Sequence, residues 1–179
     1  MYKYLPTFVY SSIYDIDFSK LYDSGKKIII SDLDNTLLPY YQKDATHELV
    51  NWKHQLDQIG FKLFIITNND DERIKRLLLT FTIDGYLTKA KKPSPKKLKA
   101  YLEKLGFDLN EVIFLGDQLV TDIACANNLG IDSILVKTID FRTQKWYTKI
   151  NRIREKKIIK KINEINPEIA NKIKSFKEN

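Results

Sequence analysis

The chain is 179 residues long, 43% hydrophobic and 30% charged, which suits one domain with a packed core and excludes general disorder. A single cysteine, Cys125, excludes an intramolecular disulfide and a thiolate zinc cluster, and two histidines leave little for a histidine metal site. The net charge of +7 belongs to residues 140–179, with 12 basic against 5 acidic side chains, because residues 1–139 hold 18 of each.

That split predicts a neutral domain over 1–139 and a basic amphipathic helical tail over 140–179. No apolar run approaches the roughly 18 residues that cross a bilayer. The opening MYKYLPTFVYSSIYDID carries no export pattern, so a reducing cytoplasm is the expected compartment. Tyr2, Tyr4, Tyr10 and Tyr14 predict packing over a sheet edge, with an interfacial aromatic belt as the alternative.

KKIIIS at 26–31 reads as the first buried parallel strand. Leu49, Trp52, Leu56 and Ile59 give a helical stripe over 47–59, stopped by Gly60. FKLFII at 61–66 is the second strand. Ile74, Leu77, Leu78 and Phe81 mark a helix that opens at Asp70 and Asp71, where acidic side chains suit the helix dipole. Residues 83–88 form a weak third strand, and Ser94-Pro95 starts the helix of Leu98, Leu102 and Leu105. EVIFL at 111–115 is the fourth strand, a helix spans about 120–129, and the fifth strand covers 133–136. Such alternation predicts an α/β, doubly wound five-stranded parallel sheet. Beyond 140, Trp146, Ile150, Ile153, Ile158, Ile162 and Ile165 approximate one helical face among lysines and arginines. Asn166-Pro167 interrupts it before a last short helix with Ile169, Ile173 and Phe176. This face predicts docking on the domain; a membrane-surface helix has the same signature.

Ligands of parallel α/β sheets bind at the carboxyl ends of the strands. Those exits read Asp32-Leu33-Asp34-Asn35-Thr36, Thr67-Asn68-Asn69, Lys89-Ala90-Lys91-Lys92-Pro93 and Gly116-Asp117 with Asp122. The set suits phosphoryl transfer. One of Asp32 and Asp34 can attack phosphorus, giving an aspartyl-phosphate, while the other serves the leaving oxygen as acid and then water as base. Clustered carboxylates call for a hard divalent cation, for which Mg²⁺ is suited. Thr67, the Asn68 backbone N–H and a lysine, Lys91 or Lys92, can hold the phosphoryl oxygens.

In these four motifs, in this order, the chain resembles the haloacid dehalogenase-like superfamily. The resemblance implies a strand order of 5-4-1-2-3 and assigns Asp32 as nucleophile and metal ligand. It makes Asp34 the acid/base, with its backbone carbonyl on the metal. Thr67 and Asn68 become phosphate-binding residues, Lys92 the charge-stabilising lysine, and Asp117 and Asp122 the acidic metal residues. Only 30 residues separate Thr36 from Thr67, and 24 separate Thr67 from Lys92, so the chain looks capless. From about Leu5 to the tail, with DLDNTL, TNN, KAKKP and GDQLVTD, it is also similar to the YqeG family of small bacterial phosphatases, related to phosphatidylglycerophosphate phosphatases. That likeness implies an anionic lipid substrate and peripheral contact of the basic tail with the membrane inner face. Two other readings stand beside it: a phosphatase of a soluble phosphomonoester or phosphoprotein, and a nucleic-acid- or ribosome-associating module using the basic tail. The tail shows no aromatic stacking platform that would favour nucleic acid.

Overall fold

Ile28, Ile29 and Ile30 are β-branched and buried on both sides, as the middle of a parallel sheet requires. They belong to β2 (Ile28–Ser31), which pairs with β3 (Lys62–Ile66) on one side and β5 (Val112–Gly116) on the other. The computed structural model describes residues 2–140 and 147–176, with side chains from Arg154 onward in the second stretch. Within it, β4 (Gly85–Leu87) lies beside β3, and β6 (Asp132–Val136) beside β5. These five strands stand in the predicted order.

A sixth strand, β1 (Phe8–Tyr10), adds itself in parallel to the outer edge of β6, so the full order is β1-β6-β5-β2-β3-β4. The sheet therefore has six strands, not the predicted five. Three residues are too short to show a period in sequence, and the pairing depends on a distant partner. The Thr7 N–H donates to the Ser133 carbonyl at 3.0 Å, and the Ser133 N–H to the Thr7 hydroxyl at 3.1 Å.

Alternate side chains of each strand face opposite sides. Ile29, Leu63, Ile65, Ile113 and Leu115 pack against α1 (Phe18–Asp23), α2 (His47–Ile59) and α3 (Asp71–Leu77). Ile28, Ile30, Phe64, Ile66 and Phe114 pack against α4 (Lys96–Leu105) and α5 (Ala124–Leu129). Thr46 caps α2 by accepting from the Leu49 N–H at 3.0 Å, and Gly60 closes it with φ +106°. A Cβ on Gly60 would also stand 2.7 Å from the Tyr22 hydroxyl. Helix α3 is shorter than its apolar spacing predicts, with Leu78 at its cap and Phe81 buried from the following turn. Helix α4 starts at Lys96, with Pro95 as its cap residue rather than the first helical residue. The helix predicted at 120–129 is two pieces: a π-helical turn over Leu119–Ile123, then α5. Cys125 is buried there, and burial pushes its thiol up to about 12, as suits a packing residue.

The tail forms α6 (Tyr147–Ile165) and α7 (Pro167–Ser175), parted at Asn166, whose side chain caps α7 by accepting from the Ile169 N–H at 3.1 Å. Ile158, Ile159, Ile162, Ala170 and Ile173 are buried against Tyr4, Val9, Leu119, Ile123 and Leu135. Of the predicted isoleucine face, Ile158 and Ile162 pack on the domain while Ile165 is 48% exposed, and Tyr4 packs under the two helices. Arg154 Nη2 donates to the Tyr4 hydroxyl at 2.9 Å. Trp146 and the side chains of Ile150 and Ile153 lie outside the described residues. Among the described residues no helix is long and apolar enough to cross a membrane.

Candidate active site

The strand pairing runs one residue past β2: the Asp32 N–H donates to the Leu115 carbonyl at 2.9 Å. This holds Asp32 against the end of β5, where Gly116-Asp117 begins. Its Oδ1 accepts from Lys92 Nζ at 2.5 Å, and its Oδ2 faces the Thr36 hydroxyl at 3.4 Å. Lys92 Nζ also donates to the Ile66 carbonyl at 3.0 Å and pairs with Asp122 Oδ1 at 2.7 Å. Its neighbour Lys91 is exposed, with a left-handed φ of +62° that turns the chain between the two lysines. Lys92 is therefore the lysine that enters the cluster.

Asp117 follows β5. Its Oδ2 accepts from the Thr138 hydroxyl at 2.9 Å, and its Oδ1 shares the Thr36 hydroxyl at 3.4 Å. Asp122 arrives from the π-helical turn, and its Oδ2 accepts from the Gln118 N–H at 3.1 Å. Gly116 makes this approach possible, since a Cβ there would stand 2.4 Å from the Asp122 Cβ. Asp32, Asp117 and Asp122 each bring one oxygen within 4.8 Å of the others, and all three are buried.

Three buried carboxylates against one ammonium leave an excess of two negative charges when all are ionised. Burial raises the Asp32 carboxyl to about 7, with Asp122 adding to the rise and Lys92 opposing it. Asp117 is pushed well above its ordinary value by burial, then by Asp122 and Asp32. Burial works against the charge of Lys92, but Asp122 and Asp32 outweigh it and hold that ammonium above its ordinary range. Such a basin holds too little positive charge for its carboxylates. Its donors are hard oxygens on converging carboxylates, which fit a hard divalent cation.

Thr67, buried at the end of β3, accepts the Asn69 N–H at 3.1 Å, so its hydroxyl proton remains to donate. The Asn68 side chain instead straps down the lysine loop. Its Oδ1 accepts from the Lys92 N–H at 2.8 Å, and its Nδ2 donates to the Lys92 carbonyl at 3.2 Å. That leaves the Asn68 backbone N–H as its donor to a ligand. Asp34 stands apart from the basin, held by Asn69 and Arg73. Asp70 stands at the α3 cap position, and Asp71 accepts from the Thr88 hydroxyl; neither joins the basin.

Asp32, Lys92, Asp117 and Asp122 thus meet at the carboxyl ends of the strands, Thr67 and Asn68 stand at the exit of β3, and the Asp34 side chain lies outside the basin. The site also contains four polar partners to which sequence reasoning gives no role: Thr36, Asn69, Arg73 and Thr138. Thr36 and Asn69 stand inside the quoted motifs. Thr138 follows the fifth strand, so the strand-exit rule, taken one strand further, finds it. Arg73 has no motif of its own.

A family model described as HAD-hydrolase-like matches residues 89–165. The "Probable phosphatase YqeG" of Bacillus subtilis (strain 168) is 31% identical over 156 residues, covering 87% of this chain and 90% of that protein. The glyceraldehyde 3-phosphate phosphatase of Pyrococcus abyssi is 30% identical over 91 residues, 46% of this chain and 38% of that one. An uncharacterized protein from Listeria monocytogenes serotype 4b has a similar fold, with TM-score 0.51 and 24% identity over 61% of this chain and 77% of that chain. So does the N-terminal part, containing a phosphatase domain complexed with Mg, of a Bacteroides fragilis protein. Its TM-score is 0.52, with 14% identity over 66% of this chain and 37% of that one.

Proposed function

We infer the reaction from the premise that this chain belongs to the haloacid dehalogenase-like hydrolases, in their YqeG family of phosphatases. The reading is a magnesium-dependent phosphomonoesterase that works through an aspartyl-phosphate on Asp32, with phosphatidylglycerophosphate at the membrane surface as its substrate. The observation that carries the chemistry is the buried basin of Asp32, Asp117 and Asp122, closed by Lys92.

An Asp32 oxygen attacks phosphorus, and the bond from phosphorus to the ester oxygen breaks. Asp34, protonated, passes its proton to the departing alkoxide. Lys92, the Thr67 hydroxyl and the Asn68 backbone N–H donate to the phosphoryl oxygens as charge builds on them. Asp34, now a carboxylate, takes a proton from water as the water oxygen attacks phosphorus. Asp32 is released together with inorganic phosphate. Asp32, Asp117 and Asp122, with the Asp34 backbone carbonyl, would hold magnesium. Bound there, the ion would supply the positive charge that lets a phosphate dianion approach several carboxylates.

Two features support a lipid substrate. Only loop, helix and strand of the core fill the intervals between Thr36, Thr67 and Lys92, so no inserted domain covers the mouth and a large surface can reach it. The tail adds a basic face, with Lys156, Lys157 and Lys160 exposed. A second reading, a small soluble phosphomonoester, draws support from the glyceraldehyde 3-phosphate phosphatase among the relatives. Phosphate release from phosphatidylglycerophosphate in anionic vesicles, against a panel of soluble phosphomonoesters at fixed Mg²⁺, separates the two. Preference for a soluble ester by orders of magnitude refutes the lipid, and activity that survives Asp32→Asn refutes the nucleophile.

A further inference from the structure

Asp34 has an environment of its own. Its Oδ1 accepts from Arg73 Nε at 3.0 Å, and its Oδ2 from Asn69 Nδ2 at 2.6 Å. Both partners follow β3: Asn69 closes the Thr67 turn, and Arg73 lies in the first turn of α3. The side chains of Arg73 and Asp34 are only 13% and 12% exposed.

The Arg73 guanidinium is costly where it stands. Its two terminal nitrogens are buried and take no hydrogen bond among the described residues. A buried donor left unsatisfied costs stability, and such exceptions call for a reason. Its one directed contact is to Asp34. An aspartate carboxyl turns about two bonds, and one hydrogen bond leaves it free to swing. Two bonds to different oxygens, from different residues, leave a single orientation.

We propose that Arg73, seconded by Asn69, is the positioning residue of the acid/base: it fixes the Asp34 carboxyl for proton transfer to the leaving oxygen. This rests on the role proposed above for Asp34. The device suits a site with no inserted domain between Thr36, Thr67 and Lys92, where α3 supplies the contact to the acid through Arg73. Errors of about 1 Å in such a group cost on the order of 10²-fold in rate.

Leaving-group dependence tests it. For the full chain with Mg²⁺, kcat/KM reports transfer to Asp32, because it covers steps through the first departure. A positioned acid protonates poor leaving groups and matters little for good ones. Wild type, Asp34→Asn, Arg73→Met, Arg73→Lys and Asn69→Ala are compared across ring-substituted phenyl phosphates and one alkyl phosphate. Asp34→Asn is expected to lose about 10²-fold more kcat/KM on the alkyl ester than on p-nitrophenyl phosphate. Arg73→Met is expected to reproduce that selective loss at about tenfold or more, Arg73→Lys to recover part of it, and Asn69→Ala to show a smaller loss in the same sense. If Arg73→Met does not fold, the Arg73→Lys and Asn69→Ala arms carry the same test. Equal loss on every ester in the Arg73 and Asn69 variants, with Asp34→Asn selective, overturns the positioning role alone. Equal loss in Asp34→Asn itself overturns the acid/base reading, and the inference with it.

Discussion

The catalytic edge and the tail interface are both buried, for opposite reasons. At the edge, Asp32, Asp117, Asp122 and Lys92 are held away from water with more negative than positive charge, an arrangement that costs stability. At the tail, Ile158, Ile159, Ile162 and Ile173 bury apolar surface, which stabilises at about 25 cal/mol per Å². Burial at the first is kept for chemistry, and burial at the second holds the chain together. Changes at the edge should therefore strike activity and spare stability, and changes under the tail should do the reverse.

The hardest test is Asp32→Asn. It is expected to lower phosphate release by at least about 10³-fold, as losses of a nucleophile do. It should leave the ion-free protein about as stable as wild type near neutral pH and more stable above it, where Asp32 would otherwise carry a buried negative charge. Parallel assays of turnover and thermal unfolding check both, and a large drop in Tm would break the contrast. Next comes Gly116→Ala, whose methyl would collide with Asp122. It should displace that carboxylate and cut activity by about 10²-fold, with weakened magnesium binding by calorimetry. Ile162→Ala, at a fully buried position, is expected to cost about 2–5 kcal/mol in denaturant unfolding while turnover per folded molecule persists.

A smaller effect is set by pH. In the ion-free protein Asp32 keeps its proton up to about 7, whereas the unfolded chain releases it near the ordinary value of 3.8. The folded state thus binds the extra proton between those limits, and stability falls as pH rises from about 4 to 7. Thermal unfolding in chelator should follow that slope, and magnesium should flatten it. The last test concerns the lipid reading. Replacing Lys156, Lys157 and Lys160 with Gln should weaken binding to anionic vesicles by about 1 kcal/mol per charge near the surface, most visibly at low salt, without altering turnover of a soluble ester.

The two regions also differ in how far the sequence displays them. The edge is legible because Asp32 and Asp117 closely follow apolar runs, and strand exits converge by topology whatever the rest of the chain does. Asp32, Thr67 and Asp117 are therefore singled out without coordinates, whereas the choice between Lys91 and Lys92 waits for the backbone turn at Lys91. Arg73 is not singled out, because its meaning comes from Asp34, 39 residues away, and a lone arginine on a helix looks like any solvated cation. Strand β1 is hidden for the same reason, since three residues acquire an identity only from Ser133 and its neighbours. At the tail the isoleucine spacing shows a face in need of cover, and the cover itself, Tyr4 and Val9 with Leu119 and Ile123, comes from the start of the domain and from its later part.

One consequence follows from the π-helical turn. It presents Asp122 to the basin while Leu119 and Ile123 press against α6 and α7. Helices α6 and α7 thus brace the segment that bears Asp122. A nascent chain would carry Asp32 more than a hundred residues before α6 and α7 exist to brace Asp122, so a finished pocket should wait on those two helices.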